Sequence, residues 1–152
     1  MKLTKRSLLR LSNRIADAFM GVCYSVVDRI GVKDQRRASR ALRQYIREHD
    51  GVNCDFALDD YRAEGVSTHT FDGLMRIVFA GWKGSEYEVR RESDFTVYTN
   101  AFHASYGWES VMLDAVDQLK PFLKSNSSFY IHCDSSAHFI TVNRGVGVDI
   151  GD

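Results

Sequence analysis

Apolar residues recur at steps of three and four along the first part of the chain. The members of this stripe are Leu8, Leu11, Ile15, Ala18, Val22 and Val26. Such spacing places side chains on one face of an α-helix, and the glycine at Gly31 is a residue type that commonly follows a helix end. The pattern therefore predicts a first helix over residues 4–30.

A second helix is predicted over residues 34–49. Asp34 is a preferred N-cap residue, and Gly51 stands just after the predicted end. The inward positions are Ala38, Ala41, Leu42, Tyr45 and Ile46. The two helices together predict an N-terminal helical hairpin.

After this hairpin the apolar residues recur at every second position. Val52, Cys54, Phe56 and Leu58 alternate with mostly polar residues, which is typical of a β-strand. Further strands are predicted over residues 66–71, 74–82, 86–91 and 94–100, with the turn-forming pairs Asp72-Gly73, Lys83-Gly84 and Ser93-Asp94 between them. Short connections of this kind predict an antiparallel meander.

The last third of the chain combines one helix with a final group of strands. A helix is predicted over residues 105–119, and Pro121 should end or kink it. Strands over residues 128–133 and 137–143 lead into a returning strand over residues 146–150. The fold class predicted for residues 1–152 is a single α+β domain, in which the helical hairpin and one further helix pack on an antiparallel β-sheet.

Charge divides the chain into two parts although the formal net charge is +0. Residues 1–50 contain 12 lysines and arginines against 5 acidic residues, whereas residues 51–152 contain 8 against 15. The three widely spaced cysteines favour free thiols in a reducing compartment, so we expect a cytoplasmic protein. Neither a membrane association nor a cofactor is predicted from the residues.

Four arginines form the clearest candidate binding site, which we call the arginine stripe. Arg36, Arg40, Arg43 and Arg47 are spaced by four, three and four residues, so they share one face of the second helix. Guanidinium groups bind carboxylates and phosphates through paired hydrogen bonds. The stripe predicts contact with an acidic protein or nucleoprotein complex, and nucleic acid itself is a possible partner. Alternatively, carboxylates of the same chain neutralise it, the candidates being Asp59, Asp60 and Glu64.

A second candidate contact lies in a predicted hairpin tip. Trp82 and Lys83 stand between Gly81 and Gly84. Tryptophan is enriched among the residues that dominate binding energy at protein interfaces. The alternative is that Trp82 folds back over the edge of the sheet and serves stability alone.

Cys54, His138 and Asp149 have the chain order of a cysteine hydrolase, in which a histidine takes the thiol proton and a carboxylate orients the histidine. The register of the last hairpin bears on this alternative. A three-residue turn at residues 143–145 keeps the apolar residues on one face and sets Asp149 opposite Phe139, on the other side of the sheet from His138. We expect that register; a two-residue turn would bring His138 and Asp149 to one face.

No metal site is predicted. His132, Cys133, Asp134 and His138 are close in sequence, but adjacent residues of a strand point to opposite faces. The sequence therefore predicts a small non-catalytic binding protein of the inhibitor or adaptor type, with the arginine stripe as one contact and the Trp82 loop as a candidate second contact. The alternative is a small cysteine hydrolase that uses Cys54 and His138.

Overall fold

The computed structural model describes residues 22–80, 86–134, 136–143 and 146–149. Within these ranges it contains four α-helices, one 3-10 helix and six strands. In chain order they are β1 (Val22–Ile30), α1 (Gln35–His49), α2 (Leu58–Ala63), α3 (Phe71–Phe79), β2 (Glu86–Glu92), β3 (Phe95–Ala104), α4 (Trp108–Leu119), the 3-10 helix Lys120–Phe122, β4 (Ser128–Cys133), β5 (Ser136–Asn143) and β6 (Val146–Asp149).

All described strands form one antiparallel sheet in the order β2-β3-β1-β4-β5-β6. Helices α1, α3 and α4 pack on one another and cover one face of it. The core lies between the helices and this face, as the stacked rings of Phe79 from α3 and Phe129 from β4 show. The fold is α+β with an antiparallel sheet, as predicted, and none of the described helices is both long and apolar enough to span a bilayer.

The predicted helical hairpin is wrong because the described part of its first helix, residues 22–30, is a β-strand. Residues 22–30 form β1, whose residues alternate between buried and solvent-exposed along most of its length. Val22 and Val26 are four positions apart, a spacing that fits both one helical face and one strand face. The β-branched residues of this segment favour the strand. The remainder of the predicted helix lies outside the described residues.

The second predicted helix is confirmed as α1, with the capping expected from its sequence. The side chain of Asp34 accepts a hydrogen bond from the backbone amide of Arg37 at 3.1 Å. At the other end, Gly51 has a φ of 77°, a left-handed conformation that glycine adopts without strain. The buried residues of α1 are Ala38, Ser39, Leu42, Tyr45 and Ile46.

Three predicted strands are wrong because their residues form turns and helices. After α1, the amides of residues 52–54 all donate to the carbonyl oxygen of His49, and Val52 is 75% exposed. The predicted strand at 66–71 is an irregular loop as far as Phe71, the first residue of α3. Residues 74–79 of the predicted strand at 74–82 lie in α3, which is buried around most of its circumference, and residues 81–82 lie outside the described residues. A short apolar run fits a buried helix as well as a buried strand, so periodicity alone does not separate them.

The remaining elements agree with prediction apart from one register. β2, β3, α4, β4 and β5 occur where the sequence places them, and the 3-10 helix that follows α4 contains Pro121. In the last hairpin, however, Asn143 pairs with Val146 and Ile140 pairs with Asp149. This is the register of a two-residue connection, so the expected three-residue turn is wrong.

Candidate protein-binding surface

The arginine stripe lies on the side of α1 that faces solvent. Arg36, Arg40 and Arg47 are exposed, whereas Arg43 is partly buried. The opposite side of the helix is held in the core by Leu42 and the other buried residues of α1. The guanidinium groups are therefore carried by a helix whose position is fixed by packing.

Arg43 differs from the other members of the stripe because its hydrogen bonds are made within the fold. Its Nη2 donates to the carbonyl oxygen of His69 at 2.8 Å, and its Nε donates to that of Thr68 at 3.4 Å. These carbonyls belong to the loop immediately before α3. Arg43 thus fastens this loop to α1 and is not free to bind a partner.

Arg36, Arg40 and Arg47 have no hydrogen-bond or ion-pair partner among the described residues. Every other arginine in the described ranges contacts an acidic side chain or, for Arg43, backbone carbonyls. The acidic partners are Glu92 for Arg29 and Arg90, Asp34 for Arg37, Asp59 for Arg62, Glu64 for Arg76, and Asp72 for Arg91. Asp59 and Glu64, two of the three carboxylates named as candidates to neutralise the stripe, therefore contact other arginines.

An acidic groove runs beside the arginine stripe, between α1 and α4. Its volume is about 430 Å³. Its ionisable lining residues include Glu48 from α1 and Asp114 and Asp117 from α4, together with His49. Lys120 pairs with Asp117 at 2.7 Å, which leaves the groove with an excess of carboxylates. α1 therefore carries both the arginine stripe and one carboxylate of this groove, Glu48.

Trp82 and Lys83, the second predicted contact, lie outside the described residues. The predicted hydrolase residues Cys54 and His138 are described, and each is engaged by other groups. Cys54 is partly buried, and its thiol donates to the carbonyl oxygen of His49 at 3.6 Å. Burial, followed by the charges of Asp50 and Asp55, raises its pKa to about 12. This direction is opposite to the lowered pKa of an activated thiol.

His138 contacts a carboxylate on the covered side of the sheet. Its Nε2 forms a hydrogen bond with Glu109, to which Ser136 also donates at 2.8 Å and Cys133 at 3.5 Å. Burial alone would raise the pKa of Glu109, but the hydrogen bonds from Ser136, His138 and Cys133 outweigh it and lower the pKa overall. The described interactions of His138 thus fasten α4 to β5.

A cysteine–histidine pair that the sequence did not predict lies on the face of the sheet that no described helix covers, which we call the uncovered face. Cys23 of β1 is the direct cross-strand neighbour of His103 of β3, and their Sγ and Nε2 atoms are 3.0 Å apart. The two residues are 80 positions apart in the sequence. Residue spacing gives no signal for such a contact, because it depends on the pairing of β1 with β3.

Comparison with known proteins found no matching family, no matching curated protein and no matching solved structure. Across the described ranges, no three potential metal ligands among histidine, cysteine and acidic residues are grouped so that they could hold an ion.

Proposed function

We propose that this protein is a small non-catalytic binding protein of the inhibitor or adaptor type, and that Arg36, Arg40 and Arg47 contact an acidic protein surface. One observation carries the proposal. Within the described ranges, these are the arginines without a partner, while the arginines elsewhere are paired. Their side chains are available for contact without breaking any described interaction.

The chemistry and rigidity of the stripe suit recognition of carboxylates. A guanidinium presents a planar set of donors that matches a carboxylate in two parallel hydrogen bonds. With a rise of about 1.5 Å per residue, Arg36 and Arg47 lie roughly 16 Å apart along the helix axis. Because α1 is held by its buried face, binding would order side chains but not the backbone, which limits the entropic cost.

The acidic groove favours a protein partner over nucleic acid. A duplex or single strand that tracked the stripe would bring its phosphates near Glu48, Asp114 and Asp117, and like charges at an interface are unfavourable. A protein surface can present carboxylates to the stripe and basic residues to the groove. Complementarity to both signs of charge also confers specificity and register.

The experiment begins with affinity capture from extract of the source cells, with nuclease-treated and untreated arms, followed by mass spectrometry. The captured partner is then titrated against the full chain and a triple variant, Arg36→Ser/Arg40→Ser/Arg47→Ser. We expect the variant to bind about tenfold to a hundredfold more weakly, since buried interfacial arginines are common energetic centres. Binding of the parent should also weaken as salt rises.

A matched control removes the same charge from arginines that are already paired. The variant Arg37→Ser/Arg62→Ser/Arg90→Ser should bind within about threefold of the parent if specific contacts, not net charge, decide affinity. Equal losses in both variants, or a stripe variant that binds as tightly as the parent at low and high salt, would overturn the proposal. Loss of capture after nuclease treatment would identify a nucleic-acid partner instead.

A further inference from the structure

The exposed pair Cys23 and His103 combines a nucleophile with a base. Both side chains are solvent-exposed on the uncovered face of the sheet. Their contact of 3.0 Å lies within hydrogen-bond distance for a thiol and an imidazole. In the tautomer that carries its proton on Nδ1, the Nε2 of His103 accepts the thiol proton. A thiol beside such a base is activated for attack.

The other two cysteines lack this combination. The Cys54 thiol is partly buried and donates to a backbone carbonyl. The Cys133 thiol is buried, and its described contacts are with Ser136 at 3.0 Å and Glu109 at 3.5 Å. Reactivity of a protein thiol requires access and a group that favours the thiolate. By both criteria, Cys23 is the cysteine most open to reaction.

We propose that Cys23 is a thiol-modification site, at which small disulfides of the glutathione class form a mixed disulfide with assistance from His103. The thiol proton passes to Nε2 of His103 as Sγ attacks one sulfur of the disulfide. The new S–S bond forms as the old one breaks, and the leaving thiolate takes the proton from the imidazolium. The disulfide is the oxidant, so one protein thiol is exchanged for one small thiol.

The surroundings of the pair favour modification over hydrolysis. Cys23 and His103 lie on an open sheet face, whereas the described groove lies between α1 and α4 in the helix layer. Hydrolysis requires a substrate held against donors that stabilise a developing oxyanion. Disulfide exchange requires only access to sulfur and a thiol that can lose its proton. This inference is independent of the arginine stripe.

The test exposes the full chain to oxidised glutathione at pH 7 and follows the mixed disulfide by intact mass and peptide mapping. We expect Cys23 to react at least about tenfold faster than Cys54 and Cys133. His103→Gln should slow the reaction at Cys23 on the order of tenfold, a modest effect for general-base assistance at an exposed site. His103→Asn serves as a second variant, and both are used only if their thermal melting matches that of the parent.

His132→Gln is the matched control, because His132 is exposed on the same face but is paired with Ser25 rather than Cys23. Its reaction rate should stay within about twofold of the parent. The proposal is overturned if the adduct forms mainly on Cys54 or Cys133, or if both His103 variants react at the parent rate. An equal slowing by His132→Gln would also overturn it, since the effect would then not belong to the pair.

Discussion

The covered face of the sheet and the exposed surfaces of the molecule differ in how their polar groups are satisfied. On the covered face, Asp28 is completely buried, and neither of its carboxylate oxygens has a hydrogen-bond partner among the described residues. On the open face, Cys23 contacts His103. On the outer side of α1, the unpaired arginines face water, which solvates a charge at little cost. An unsatisfied polar group therefore reduces stability in the core, whereas at the surface it is available to bind a partner.

This contrast implies that substitutions on the covered side should change stability, whereas those on the exposed surfaces should change binding or reactivity. The covered side derives its stability from close packing, where even a single added methyl group is felt. The exposed surfaces contribute little to folding. Four predictions test this distinction, in order of decreasing effect on the free energy of unfolding.

The largest effect is expected for Gly73→Ala in α3. A Cβ atom at this position would lie 1.9 Å from the carbonyl oxygen of Ser67, in the same loop that Arg43 fastens to α1. Backbone must move to relieve this overlap, so we expect a loss of about 3–5 kcal/mol in the free energy of unfolding, measured by urea titration. Gly107→Ala is the control, because nothing lies within 4 Å of its Cβ position; its effect should stay within about 1 kcal/mol. Equal free energies of unfolding for the two variants would contradict this packing.

The second prediction concerns the pH dependence that Asp28 imposes on stability. Burial raises the pKa of Asp28 well above its ordinary value. The folded protein therefore retains a proton that the unfolded chain releases near pH 4, and the free energy of unfolding falls as pH rises above that value. The slope is at most about 1.4 kcal/mol per pH unit, and it ends once pH passes the raised pKa.

Asp28→Asn should remove this slope, so its stability relative to the parent should increase from pH 5 to pH 8. Unfolding by denaturant at several pH values provides the measurement. Asp94→Asn, in an exposed turn, should stay within about 0.5 kcal/mol of the parent throughout. A parent and an Asp28→Asn variant with parallel pH profiles would show that this carboxyl is hydrated or paired in solution.

A smaller effect is expected for Glu109→Gln, at the edge of the covered face. Glu109 accepts hydrogen bonds from Ser136 and Cys133 and contacts His138, so we expect a loss of about 1–2 kcal/mol at pH 7. Because the pKa of Glu109 is lowered in the folded state, its stabilising contribution is present above about pH 4.3 and is lost as pH falls further. The difference from the parent should thus shrink in acid. Glu88→Gln, on exposed β2, should show neither effect.

The smallest effect on stability is expected for the free arginines of α1. Single changes of Arg36, Arg40 or Arg47 to serine should each alter the free energy of unfolding by no more than about 0.5 kcal/mol. Arg43→Ser should cost about 1 kcal/mol, since it removes the hydrogen bonds to Thr68 and His69. Thermal and chemical unfolding of the four variants separates them. If Arg43→Ser were as stable as the other three, the division of the stripe into binding and structural members would be wrong.

Elements whose signals are local could be predicted from the sequence. The N-cap at Asp34 and the apolar side of α1 follow from residue type and spacing, and β4 occupies the predicted residues 128–133. The arginine stripe could be recognised for the same reason, since helical spacing alone places its members on one face. Capping, turn chemistry and periodicity act within a few residues, so they can be read without knowledge of the fold.

Long-range contacts determine the features for which the local sequence is compatible with more than one structure. Val22 and Val26 fit a helix or a strand, and pairing with β3 and β4 made the segment the central strand β1. The apolar run of α3 became a helix because it is buried between the other helices and the sheet, where hydrophobic burial outweighs β-propensity. Packing also distinguishes the members of the stripe, because Arg43 forms hydrogen bonds with the loop before α3 whereas Arg36, Arg40 and Arg47 are exposed to solvent. The contact between Cys23 and His103 exists only through strand register, which no local pattern in the sequence encodes.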